Sequence, residues 1–223
     1  MRRGKLANPA AVLGDSQALA EQVAATLVAT GAVSFRTKPP FRFTSGVSSP
    51  VYVDNRQLLG HVDERSSIVD GFHAAITSAA NLRSIGAVAG TATAGIPWAA
   101  WIADRLDLPM LYVRAKAKDW GQGKAVEGTA PASSDVLLIE DLSFTAGSLA
   151  TAAERLREAD FRVAGAMTIV SYETASAHER LQAASLPAAT LTTIDAALES
   201  AERMGRLAAD ETAAVRKWLG DLR

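Results

Sequence analysis

From residue 85 onward the chain alternates short apolar runs with helical stretches, and this alternation restricts its possible folds more than any other feature. The apolar runs lie at 85–89, 110–113, 136–139, 163–170 and 189–191. Helical patterns occupy 98–106, 149–159 and 177–184. Strands buried on both faces read as continuous apolar runs, and when helices join them the sheet is parallel and covered on both sides. The predicted fold class is therefore α/β, with a central, mostly parallel sheet flanked by helices. A chain of 223 residues with 48% hydrophobic content is long enough to bury the core such a sheet needs.

The first part of the chain reads differently. Asp15 or Ser16 can cap a helix to about Thr30, because Leu19, Val23, Leu27 and Val28 recur at helical spacing and Gly31 stops it. Short strands at 32–35 and 41–43, turn residues at 45–50 and the strand Val51-Tyr52-Val53 describe a small hairpin-rich lobe. A helix over 65–81, carrying Ile68, Val69, Phe72 and Ile76, leads into the sheet. Residues 1–14 are expected to be a loosely held arm and 15–223 a single domain, with the lobe drawn mainly from 15–60.

Charge and composition exclude several function classes. A formal net charge of -1 offers no global field for nucleic acid or an anionic membrane, so neither is an expected partner. No stretch approaches the roughly 20 apolar residues of a membrane span, and the basic start, Met1 to Lys5, lacks the apolar run of a secretory signal. The absence of cysteine rules out disulfides, thiolate metal sites and a cysteine nucleophile, and agrees with a reducing, cytoplasmic setting. His61, His73 and His178 stand apart with no metal-ligand spacing and are read as surface or helix-packing residues, so no metal site built by the protein alone is expected.

Ligands of parallel sheets bind at the carboxyl ends of the strands. That rule selects three loops. In the first, the strand 136–139 emerges into Glu140, Asp141, Leu142, Ser143, Phe144, Thr145, Ala146, Gly147 and Ser148. Main-chain N–H groups at the following helix start, with the Thr145 and Ser148 hydroxyls, suit a phosphate monoester. Glu140 and Asp141 cannot bind phosphate, but carboxylates accept from the paired hydroxyls of a ribose. Together these residues describe a ribose carrying a phosphate on its far carbon. An acidic strand end followed by a capped helix is the simpler explanation for such a segment in isolation.

The second loop, Gly90-Thr91-Ala92-Thr93-Ala94-Gly95-Ile96-Pro97, has small residues that let amides approach an anion such as a pyrophosphate. A tight strand-to-helix turn explains it equally well. The third loop holds four cations, Arg114, Lys116, Lys118 and Lys124, among the eleven residues 114–124, together with Trp120 and two glycines. It reads as a basic flap, or more plainly as a solvated loop.

Taken in order, these segments resemble the orotate phosphoribosyltransferases of the type I phosphoribosyltransferase family over nearly the whole chain. The matching pieces are Phe43-Thr44-Ser45-Gly46 with Ser49-Pro50-Val51-Tyr52-Val53-Asp54, the loop 90–97, the flap, the Glu140-Asp141 signature and Leu191-Thr192. The resemblance implies the family fold with an N-terminal hood. It implies phosphoribosyl pyrophosphate and orotate as substrates, Mg2+ bound mainly through the diphosphate, and a homodimer whose flap reaches into the neighbouring site. It assigns Glu140 and Asp141 to the ribose, Arg114 and Lys118 to the diphosphate, and the loop 140–148 with Thr93 and Ala94 to the phosphates. Catalysis falls to Lys118, Arg114 and Asp141, while Lys116, Trp120 and Thr44 complete the substrate-binding set.

The chain also departs from the family pattern. Phe144 stands where a Thr is usual, Ala146 where a Gly is usual, Ala115 where a Lys is usual, Trp120 where His or Tyr is usual, and Thr44 where many members carry Lys. Ser171-Tyr172-Glu173 offers no match for the Arg that contacts the orotate ring, which leaves the loop 43–49, Arg42 or Arg56 to hold an orotate carboxylate. A phosphoribosyltransferase for another nucleobase and a non-catalytic sensor of phosphoribosyl pyrophosphate are the competing functions.

Overall fold

The computed structural model describes residues 16–42, 48–79, 82, 84–115 and 125–223. Helix α1 (Ser16–Ala29) is followed by strand β1 (Val33–Phe35), β2 (Phe41–Arg42), β3 (Ser48–Ser49) and β4 (Val51–Val53), then a 3-10 turn over Asn55–Gly60 and helix α2 (Val62–Ser78). Two antiparallel pairs, β1 with β4 and β2 with β3, make up the lobe. The arm 1–14 and Phe43 lie outside the described residues.

The remainder is the alternating region: β5 (Ala87–Thr91), α3 (Gly95–Leu106), β6 (Met110–Val113), β7 (Val126–Glu127), β8 (Asp135–Ser143), α4 (Gly147–Glu158), β9 (Arg162–Ser171), α5 (Ala175–Ala183), β10 (Ala188–Thr193), α6 (Ile194–Arg203) and α7 (Ala209–Gly220). The six-stranded sheet has the order β10-β9-β8-β5-β6-β7, with every pairing parallel except the edge pair β6–β7. The α/β expectation is therefore met, including its mostly parallel character.

Continuous apolar strands are explained by two cores. Leu137 and Ile139 face one core with Val88, Ile169, Trp98 and residues of α1, α2, α3, α6 and α7. Val136 and Leu138 face the other, with Ala87, Leu111, Leu149 and Leu156 beneath α4 and α5. Side chains alternate across a strand, so one four-residue run supplies both cores. Each fully buried Leu or Ile contributes about 1.5–3 kcal/mol relative to exposure.

Some boundaries differ from the sequence reading, and two differences affect the site. Strand β5 runs to Thr91, so Gly90 and Thr91 are strand residues and the turn is shorter than the segment 90–95. Strand β8 runs to Ser143, so Glu140, Asp141, Leu142 and Ser143 belong to the strand and keep its pairing with β9 through Glu140↔Thr168 and Ser143↔Ser171. Polar residues at a strand end look like a loop in sequence, but here a neighbouring strand still accepts their main-chain bonds. Helices α6 and α7 were not predicted. They cover the first core and reach the lobe, where Lys38 pairs with Asp210 at 3.6 Å and Thr37 donates to Glu211 at 3.0 Å.

Candidate active site

The carboxyl ends of β5, β6 and β8 converge on one side of the sheet, as the parallel register requires. At the end of β8, Glu140 is only 7% exposed. Burial pushes its carboxyl up to about 7, against a hydrogen bond with Thr91, and the charge of Asp141 adds to the rise. Asp141 is raised as well, chiefly by burial, while its hydrogen bond with Glu140 and the nearby charge of Arg56 hold it down. Burial thus raises both carboxyls, and Asp141, half-buried where Glu140 is buried, is the better placed of the two to meet a ligand.

The 3-10 turn fixes this pair from the lobe side. Fully buried Asn55 donates Nδ2 to the Asp141 carbonyl at 2.8 Å. Beside it, Arg56 donates Nε to Asp54 Oδ1 at 2.6 Å and its main-chain N–H to the same oxygen at 3.3 Å.

The turn between β5 and α3 is tight for steric reasons. A Cβ on Gly90 would lie 2.7 Å from the Gly95 carbonyl oxygen, and one on Gly95 would run into the Ile139 carbonyl and the Thr91 hydroxyl. Only glycine lets the strand, turn and helix close on β8 in this way. Within the turn the Ala92–Thr93 peptide is cis, Ala92 N–H donates to the Val113 carbonyl at 2.8 Å, Thr93 is exposed and Ala94 half-buried.

After β8 the chain turns through Phe144, Thr145 and Ala146 into α4. Ala146 has φ 54°, the left-handed region in which the family's glycine costs least. Exposed Phe144 packs edge-on against Tyr172 at 4.9 Å, and its carbonyl accepts from the Thr174 hydroxyl at 2.6 Å. Arg180 of α5 donates to the Thr145 carbonyl at 3.2 Å. Gly147 and exposed Ser148 open the helix, whose first N–H groups have no partner within it.

Arg114 follows β6 and pairs with Glu127 at 3.0 Å, while its own carbonyl accepts from Arg155. A cavity of about 200 Å3 joins Thr91, Ala92, Arg114, Gly147, Ser148 and Arg155. The cavity brings together Arg114, Gly147, Ser148 and the start of the 92–94 turn, and Glu140 joins them through its hydrogen bond with Thr91, with Asp141 next to it in β8. Leu142 is half-buried and packs against the first core, and Ser143 is buried in β8. Thr44, Lys116, Lys118 and Trp120 lie outside the described residues.

Asn55, Arg155 and Arg180 escaped the sequence reading. Arg155 had a usable signal, since 147, 148, 151, 152 and 155 share one face of α4 at helical spacing. Asn55 reaches its partner across 86 residues, which no local pattern discloses. Among the described residues no group of three or more His, Cys, Asp or Glu could hold a metal ion, and no helix is long and apolar enough to cross a membrane. His178 Nδ1 lies 3.0 Å from the Thr174 carbonyl within α5, and His61 lies 4.0 Å from Glu64.

Comparison with known proteins gives a consistent answer. The family model for the phosphoribosyl transferase domain matches residues 66–195. Orotate phosphoribosyltransferase of Halalkalibacterium halodurans is 41% identical over 198 residues, which cover 89% of this chain and 93% of that one. The crystal structure of orotate phosphoribosyltransferase from Aeropyrum pernix superposes with a TM-score of 0.68 at 29% identity, over 83% of this chain and 99% of that one. Leishmania donovani UMP synthase shares the fold, with a TM-score of 0.77 at 24% identity, over 91% of this chain and 42% of the longer protein.

Proposed function

Since the chain belongs to the orotate phosphoribosyltransferase family, we propose that it transfers ribose 5-phosphate from phosphoribosyl pyrophosphate to N1 of orotate. The products are orotidine 5-monophosphate and pyrophosphate, a step in the synthesis of UMP. The observation that carries this reading is the buried Glu140–Asp141 pair at the end of β8, set beside the start of α4 and the glycine-closed turn after β5.

The roles follow from charge. Asp141, with Glu140 behind it, accepts from the ribose hydroxyls. The α4 start, through Thr145, Ala146, Gly147 and Ser148, receives the 5-phosphate, and Arg180 braces the loop from behind. Thr93 and Ala94 lie along the diphosphate. As the bond from the anomeric carbon to diphosphate breaks and the bond to N1 forms, negative charge grows on the leaving group. Arg114 and Lys118 meet that charge, Lys116 adds to the same field, and Trp120 helps exclude water. Thr44 belongs to the acceptor side.

The donor set fits a Mg2+ held mainly by substrate oxygens. Such an ion keeps several waters and binds through phosphates with one or two carboxylates, of which Glu140 and Asp141 are the available pair. When bound it would neutralise the diphosphate. A homodimer with a flap shared between sites and a cytoplasmic setting complete the reading, the latter in keeping with a chain that contains no cysteine.

Phe144 and the uncharged Ser171-Tyr172 segment favour one competitor, a transferase for another base. Turnover with phosphoribosyl pyrophosphate, Mg2+ and a panel of bases decides it. Orotate is expected to have the highest kcat/KM. Equal or better values for uracil, hypoxanthine or adenine would overturn the acceptor and leave the donor chemistry intact, and donor binding without turnover would indicate a sensor.

A further inference from the structure

The proposed reaction brings three anionic groups into one site: the 5-phosphate, the diphosphate and the carboxylate of the acceptor. Two of them already have cations. Arg180 lies against the turn that receives the 5-phosphate, and Arg114 and Arg155 border the cavity beside the β5 turn. The acceptor carboxylate has to approach two acids without such help from Ser171 or Tyr172. A cation close to Asp141 is needed.

Four arginines come from the early segment or touch Tyr172. Arg36 lies over the Phe41 ring at 4.4 Å, and Arg42 sits exposed on the two-residue strand β2. Arg223 reaches the Tyr172 carbonyl but is committed to two carboxylates, Asp195 and Glu173. Arg56 differs from all three. Its neighbour Asn55 is bonded directly to the Asp141 main chain, and its own charge acts on Asp141. Its side chain remains 67% exposed.

Arg56 is also preorganised. Asp54 Oδ1 takes both its main-chain N–H and Nε, which ties the guanidinium plane down on one edge. Among the described residues no hydrogen bond or ion pair engages the two Nη groups, whose shared edge presents parallel N–H donors, the geometry that matches a planar carboxylate in two-point contact.

We infer that Arg56 is the residue that binds the carboxylate of the acceptor base and so selects orotate over bases without one. This inference rests on the transfer reaction proposed above. It accounts for acceptor recognition in a chain whose β9–α5 loop lacks the family's arginine.

The test compares wild type, R56Q and R56K with orotate and with uracil, which has the same ring without the carboxylate, and adds calorimetry of phosphoribosyl pyrophosphate binding. In R56Q, kcat/KM for orotate is expected to fall about ten- to hundred-fold, the scale of a lost charge-assisted pair. The low uracil rate and the donor affinity should stay within about three-fold. R56K should recover part of the orotate rate, because it restores the charge without the fork. If orotate and uracil rates fall together, or donor affinity falls with them, Arg56 is a brace for Asp141 and the inference is wrong. Wild-type protein that ignores orotate would sink the transfer reading itself. An R56Q protein that still prefers orotate would sink the Arg56 assignment alone.

Discussion

Asn55 Nδ2 donates to the main-chain carbonyl of Asp141 at 2.8 Å, while the Oδ1 of the same buried side chain has no partner among the described residues. The lobe is thereby tied to the strand end that carries the acids, and the tie requires a donor. Asn55→Asp keeps the shape but places an acceptor against an acceptor, beside carboxylates already raised by burial. Losing such a buried bond costs about 1–3 kcal/mol, and in a chain of this size each kcal/mol lowers Tm by about 2–4 °C. The variant should melt several degrees below wild type at pH 8 and recover toward pH 5, where the introduced carboxyl is protonated and can donate again. A deficit that does not change with pH would rule out this role for the bond.

Asp141→Asn isolates the contribution of the accessible acid. Charge-assisted bonds to ribose hydroxyls are worth roughly 1.5–3 kcal/mol each, so affinity for phosphoribosyl pyrophosphate should fall ten-fold or more in calorimetry. The backbone of Asp141 is held in β8 and by Asn55 whatever its side chain, so melting should change far less. Unchanged donor affinity would remove Asp141 from the ribose site.

The sheet was legible in the sequence because strands buried on both faces leave no polar register, as Val136, Leu137, Leu138 and Ile139 show. The acid pair and the start of α4 were legible because they form one continuous segment. What stayed hidden depends on contacts far apart in the chain. Helix α6 starts at the residue after β10, where Thr193 both ends the strand and caps the helix, so no turn residue marks the change. The aromatic stack from Phe144 through Tyr172 to Trp218 joins three distant segments and buries Tyr172.

If Lys118 meets charge that develops as diphosphate leaves, Lys118→Ala should lower kcat strongly and leave donor affinity nearly intact. Equal losses would make it a binding residue. Where two chains share a site, mixing Lys118→Ala with Asp141→Asn should restore part of the activity, since one site of the hybrid keeps both groups. Hybrid dimers that form but stay inactive would assign each flap to its own subunit.

The pH dependence of stability should follow Glu140. Its carboxyl has an ordinary value of 4.5 and stands at about 7 in the fold. Between those values the unfolded chain has released the proton and the folded chain still holds it. Folding therefore binds a proton in this window, and stability falls as pH rises from 4.5 through 7. The loss is roughly 3 kcal/mol at about 1.36 kcal/mol per unit, and the raised Asp141 adds to it in the same direction. Glu140→Gln stays neutral throughout, so its Tm should match wild type near pH 4.5 and exceed it by several degrees at pH 8, both measured without ligand. At high pH the wild-type pair is charged and partly desolvated, the state that ribose hydroxyls and a cation would relieve. Saturating phosphoribosyl pyrophosphate with Mg2+ should accordingly raise the wild-type Tm more at pH 8 than at pH 5. Melting profiles for the two proteins that run parallel across the window would show that Glu140 is not the group that titrates.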